Sequence, residues 1–259
     1  MQNDLDLDDI LSNKDQAPAY VVENWIYEGQ IVVLAGEPGT GKSFLMYSLA
    51  LAITTNQRFL EMQTKHGPVL YFDEENGRPD LGEYLRWAWR AANKPDIANL
   101  KELLHIKHFA LSSRGHTRFE TMSKAAAEVK PCLIVIDTAN PVCGIEKEDS
   151  NDEAREAIKE LRQVQRAAGR ESAMVILKHT KFTHDSNEQR TIRGAKTWLN
   201  ELDGVMYHVR VPGGKRIDGL RDSQLIPDKV RAYGMRIPLK IHPSWSGSEA
   251  EKSLVLHRV

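Results

Sequence analysis

The chain has 259 residues, of which 41% are apolar and 27% charged, with a formal net charge of −1. That length supports one large α/β domain with a sizeable core. Near-neutrality excludes a global basic field for holding nucleic acid or a membrane surface, so any such contact must come from a local patch.

Residues 1–17 are rich in Asp, Asn and Leu and read as a tail or short helical lead-in, without the basic start and apolar stretch of a signal peptide. No run reaches the ~18 apolar residues that span a bilayer. Cys132 and Cys143 flank one apolar run, with neither disulfide nor zinc spacing. A cytoplasmic protein with no membrane contact is the expectation. Residues 18–259 read as one domain, and its first segment, residues 18–28 with Trp25 and Ile26, is expected to pack beside the core.

Residues 31–35 form a continuous, partly β-branched apolar run, as a strand buried on both faces does. A glycine-rich turn follows, and then Leu45, Leu49, Ala52 and Ile53 recur at helical spacing over about residues 41–55. Residues 69–72 are the second strand, followed by a helix over about 78–92, a short strand near 104–109 and a helix at 119–129. Residues 133–136 make the third strong strand. Ser150 and Glu153 have capping-box spacing before a helix that carries Ala154, Ile158, Leu161 and Val164 on one face and stops near Gly169. Residues 173–177 are the fourth strand, and 191–202 read as helical. Segments 205–211, 238–242 and 253–257 then read as strands joined by turns, one of them at Gly213-Gly214. The alternation predicts a doubly wound, mainly parallel sheet with helices on both faces and a C-terminal antiparallel extension.

The turn reads Gly36-Glu37-Pro38-Gly39-Thr40-Gly41-Lys42-Ser43, with Phe44 next. A glycine, four residues and Gly-Lys-Ser between a strand and a helix make a P-loop. Its backbone N–H groups and the helix N-terminus cradle phosphates. In such a loop Lys42 would bridge the β- and γ-phosphates of ATP, and the Ser43 hydroxyl would ligate Mg²⁺. Lys42 is expected to face solvent when no nucleotide is bound. Asp137 ends the strand 133–136 and is the expected magnesium-side carboxylate, although strands often enter turns through Asp.

Two further strands end in polar groups, where open α/β sheets place ligands: Asp73-Glu74-Glu75-Asn76 and Lys178-His179-Thr180-Lys181. With these, with residues 133–138 and with Arg193-Gly194-Ala195, the chain resembles RecA-like ATPases, most of all the RepA-type hexameric helicases and their RadA-like relatives, over about residues 18–233. The resemblance implies that Glu75 polarises the attacking water, with Glu74 as the alternative, and that His179 senses the γ-phosphate. It also implies a Lys-x-Arg finger at Lys229 and Arg231, reaching the neighbouring subunit. One extra residue, Ala232, shifts the register before Tyr233-Gly234, and Arg193 is a second finger candidate.

In this group the loops after the third and fourth strands face a central channel. Residues 139–150 carry Glu146, Glu148 and Asp149 against one lysine, a poor phosphate ligand. Residues 181–193 offer Lys181, His184, Arg190 and Arg193 to a DNA backbone, with Phe182 able to stack on a base. The resemblance therefore implies a homo-oligomeric, hexameric ring moving on single-stranded DNA as a helicase or helicase-like replication factor, with a loading partner. A regulatory ATPase that switches assembly with a protein partner is the second reading. A small-molecule phosphotransferase is a weaker third, since no arginine-rich lid is evident.

Overall fold

The computed structural model describes residues 19–108, 116–180, 192, 196–214, 216–217, 220–230, 235–246 and 253–259. The lead-in forms a small antiparallel pair, β1 (Tyr20–Val22) and β2 (Ile26–Tyr27). The main sheet is built from β3 (Ile31–Gly36), β4 (Val69–Asp73), β5 (Leu104–Lys107), β6 (Leu133–Asp137), β7 (Ala173–His179), β8 (Gly204–Arg210), β11 (Ser223–Val230), β12 (Leu239–Ser246) and β13 (Ser253–Arg258). Their order is β13-β12-β11-β8-β3-β7-β6-β4-β5. The stretch from β8 to β5 is parallel, and β11, β12 and β13 add antiparallel. A separate two-stranded pair joins β9 (Arg216–Ile217) to β10 (Leu220–Arg221). The expected fold class holds.

Strand period sorts the core into two layers. Val32, Leu34, Val69, Tyr71, Val135 and Leu177 face the first helix, α1 (Lys42–Thr54). Ile31, Val33, Leu70, Phe72, Ile136 and Ile176 point the other way, under α4 (His116–Val129), α6 (Asn151–Ala168) and α7 (Thr197–Glu201). Between them in the chain run α2 (Arg78–Ala91), α3 (Ile97–Leu103) and α5 (Ala139–Cys143).

Several boundaries differ from the sequence reading. The predicted face of α1 is too narrow: 11 of its 13 residues are buried, because Phe44 and Leu51 join a further cluster with Ala88 of α2, Leu254 of β13 and the rings of Tyr84 and Trp87. The helix α3 was not anticipated; it has no fully buried residue, and its N-terminus is capped by the Asp96 side chain accepting from the Ala98 N–H at 3.3 Å. Ser150 does cap α6, accepting the Glu153 N–H at 3.2 Å. The Glu153 carboxylate, however, reaches back to the N–H groups of Glu146 and Lys147 at 2.9 and 3.0 Å. That folds the acidic segment onto the helix start.

Strand β11 lies between β8 and β12, but β12 pairs only with its residues 223–225, so among the described strands Lys229 is paired to β8 alone. Pro227 hides this strand in the sequence, since proline cannot donate to a ladder. The register shift between Pro227 and Lys229 accommodates it.

Candidate active site

The cradle sits where β3 ends and α1 begins. Gly39 and Gly41 hold φ of 70° and 89°, a region other residues rarely adopt. Space is short as well: a Cβ on Gly41 would lie 2.5 Å from Leu220 Cδ2, and one on Gly36 2.5 Å from the His208 carbonyl oxygen. Thr40 is buried and folds its hydroxyl onto the Glu37 carbonyl at 3.0 Å. The N-terminus of α1 has no side-chain cap and no acidic residue in its first turn, which leaves its N–H groups directed at an anion. Phe44 contributes packing with its side chain, which is buried among aromatic rings.

Lys42 does not face solvent as expected. It is 5% exposed, and its amine donates to the carbonyls of Gly36 and Glu37, both at 3.0 Å. Curling onto its own loop gives the ammonium acceptors that a buried charge requires. Burial still lowers its pKa to about 8, against the pull of Asp137 and Glu75; phosphate charge would reverse that shift.

The amine also stands 3.4 Å from His179 Nδ1. The other ring nitrogen, Nε2, is 3.3 Å from Glu75 Oε1, and the Thr138 hydroxyl donates to Glu75 Oε2 at 3.0 Å. The ends of β3, β7, β4 and β6 thus converge in one line: Lys42, His179, Glu75, Thr138. His179 foremost, by its hydrogen bond, holds the Glu75 carboxyl below its usual pKa. Glu74 points elsewhere, toward His108 at 3.8 Å. Of the two adjacent glutamates, Glu75 is the one brought to the cradle.

Asp137 is fully buried beside Asp73, its partner across the parallel β4–β6 pair. Tyr71 donates to its Oδ2 at 2.7 Å, while Oδ1 has no hydrogen-bond partner among the described residues. Burial and then the Asp73 charge push its pKa up to about 7, although Tyr71 and Ser43 act to lower it. A buried carboxylate with an idle oxygen, facing the Ser43 hydroxyl, is a donor set suited to a hydrated Mg²⁺ beside phosphates.

A basic residue that the sequence analysis did not single out, Arg210, also stands beside this set. At the end of β8, its guanidinium donates to the Pro38 carbonyl at 2.7 Å and lies 3.6 Å from the Glu37 carboxylate. Strand pairing, across 172 residues of chain, brings it there. Below it, fully buried His208 donates or accepts through Nε2 at 2.8 Å from Ser223 Oγ, and burial lowers its pKa to about 3, so it stays neutral.

Lys229 pairs with Val205 near the start of β8, roughly 16 Å along the strand from Arg210. Its amine donates to the carbonyls of Leu199 and Asn200, both at 2.8 Å, so within its own subunit it caps α7. Arg231, Lys181, Arg190 and Arg193, together with Phe182 and His184, lie outside the described residues.

A family model described as an AAA domain matches residues 1–184. The chain belongs to the AAA domain family. The match covers the cradle, Glu75, Asp137 and His179, and makes this AAA protein a nucleotide-binding P-loop ATPase. Its similarity ends before β8, so Arg210 lies beyond the matched segment. No curated protein matches the chain. No helix among the described residues is long and apolar enough to cross a membrane.

Proposed function

We propose that this AAA protein hydrolyses Mg-ATP at the cradle and works as a ring-forming, RepA-like motor on single-stranded DNA. The carrying observation is the line from Lys42 through His179 to Glu75, which ties cradle, sensor and water-polarising carboxylate within 3.4 Å at each step. The bound nucleotide supplies the phosphoryl group, and Mg²⁺ supplies charge neutralisation. Lys42 leaves its carbonyl partners for the phosphates. Ser43 and Asp137 would hold the hydrated ion. Glu75, kept ionised, accepts a proton from the attacking water. His179, between Lys42 and Glu75, exchanges one partner for a phosphate oxygen and passes the change to residues 181–193 through β7.

Arg231, or Arg193, would serve as the finger to a neighbouring subunit; Lys229 could join only by releasing the carbonyls it caps. Arg210 gives each cradle a cation of its own. A regulatory ATPase without unwinding activity is favoured instead by one feature, the acidic segment Glu146–Asp149 folded onto α6 on the expected channel side. ATPase rate with and without single-stranded DNA, measured alongside solution mass, separates the two. The motor reading predicts an oligomer stimulated by DNA, with Lys181, Arg190 and Arg193 carrying a salt-dependent affinity. A monomer, or an oligomer indifferent to DNA, contradicts it.

A further inference from the structure

We infer that Asp73 is a positioning residue that sets the reach of Glu75, and that Tyr47 ties this setting to the helix leaving the phosphate cradle. The inference rests on Glu75 being the water-polarising residue. Asp73 ends β4 and has no exposed surface. A carboxylate so placed is costly unless its oxygens are occupied, and both are. Oδ1 accepts the backbone N–H of Glu75 at 3.0 Å and of Asn76 at 2.9 Å. Oδ2 accepts the Tyr47 hydroxyl, and the Asn76 amide reaches Oδ1 at 3.3 Å and Oδ2 at 3.1 Å.

Those two backbone bonds bend the chain directly after the strand, as Asp does in a side-chain-closed turn. They fix where the Glu75 side chain departs. Without them, Glu75 would be located only by His179 and Thr138, which its carboxylate must release or share when it takes up water.

The tie to Tyr47 adds a second link. Tyr47 lies four residues after Ser43 on α1, on the same face of the helix. Its ring stacks on Tyr71 at 4.7 Å, and the Tyr71 hydroxyl donates to Asp137. Asn76 closes the circuit, with its amide 3.5 Å from Asp137 Oδ2. A buried polar network thus joins the start of α1, the magnesium-side carboxylate and the turn carrying Glu75. Any displacement of α1 on phosphate binding moves the hydroxyl held by Asp73, and so the anchor of Glu75.

The test is a mutant cycle read as turnover and nucleotide affinity. Asp73→Ala is expected to lower kcat about 10–100-fold, as sub-ångström to ångström misplacement of a reacting group does. Nucleotide Kd should stay within about 3-fold, because no cradle contact is lost. Tyr47→Phe should lower kcat about 3–10-fold, the scale of one ordinary hydrogen bond, since Asp73 keeps its bonds to Glu75 and Asn76. On a Glu75→Gln background, Asp73→Ala should add less than about 2-fold, since it acts through the group already removed. A wild-type kcat in Asp73→Ala, or a further loss on the Glu75→Gln background, overturns the positioning role. Should Asp73→Ala fail to fold, an unchanged kcat in Tyr47→Phe overturns it instead. Full activity of Glu75→Gln alone removes the underlying reading of Glu75, whereas an inactive Glu75→Gln beside a fully active Asp73→Ala removes only the role given to Asp73.

Discussion

The parallel stretch of the sheet, from β3 to β5, and the antiparallel addition, β11 to β13, share one hydrogen-bonded sheet but divide the work. Every group in the line from Lys42 to Thr138 comes from the C-terminal end of a parallel strand, the turn after it or, for Lys42, the helix start that follows the turn. The antiparallel strands hold β8 in place, and β8 is the seam. It brings Arg210 to the loop on one side and pairs with β11 on the other. The candidate catalytic groups all stand at strand ends that point one way. The seam and the small β9–β10 pair close the cradle from the side, with the His208 carbonyl of β8 against Gly36 and Leu220 of β10 against Gly41.

Three substitutions would break or sharpen that division. The largest effect is expected on the parallel side: Lys42→Ala should reduce ATP turnover to background, a loss of about 10³-fold or more, as removing a phosphate-directed cation from a site that acts by charge stabilisation does. Steady-state phosphate release checks it, with circular dichroism reporting the fold. On the seam, Arg210→Ala should lower kcat/KM about 10-fold and leave the fold intact, because the Arg210 guanidinium is partly exposed and its described polar contacts go to the loop. No change in kcat/KM would confine catalysis to the parallel strands alone. The third and smallest effect is read on stability, in Gly36→Ala. Its Cβ must push β8 from β3, which costs about 1–3 kcal/mol as overpacking does, and a thermal melt should show it.

The division also explains what could be read from sequence. Buried parallel strands are continuous apolar runs, so residues 31–35, 69–72, 133–136 and 173–177 fell close to β3, β4, β6 and β7. Their terminal polar residues, Glu75, Asp137 and His179, announced the site for the same reason. The seam gave no such signal. Arg210 ends a strand whose sequence carries no motif, and only the pairing of β8 with β3 gives it meaning. Strand β11 was obscured by Pro227, and α3 by a helix face that is never fully buried. The bond from Tyr47 to Asp73 was equally invisible, since neither residue's partner can be found by spacing. The buried state of Lys42 was missed because a lysine in a loop offers no hint that its own backbone carbonyls will hold it.

The central claim is that the parallel strand ends form an ATP-hydrolysing site in which Glu75, not Glu74, handles water. Binding and hydrolysis of ATP measured side by side in Glu75→Gln and Glu74→Gln test it most directly. The geometry predicts that Glu75→Gln keeps its nucleotide affinity while hydrolysis falls about 10²-fold or more, the usual scale for losing a general base. Glu74→Gln should stay near the wild-type rate. Wild-type hydrolysis in Glu75→Gln, or the severe loss appearing in Glu74→Gln instead, would contradict it.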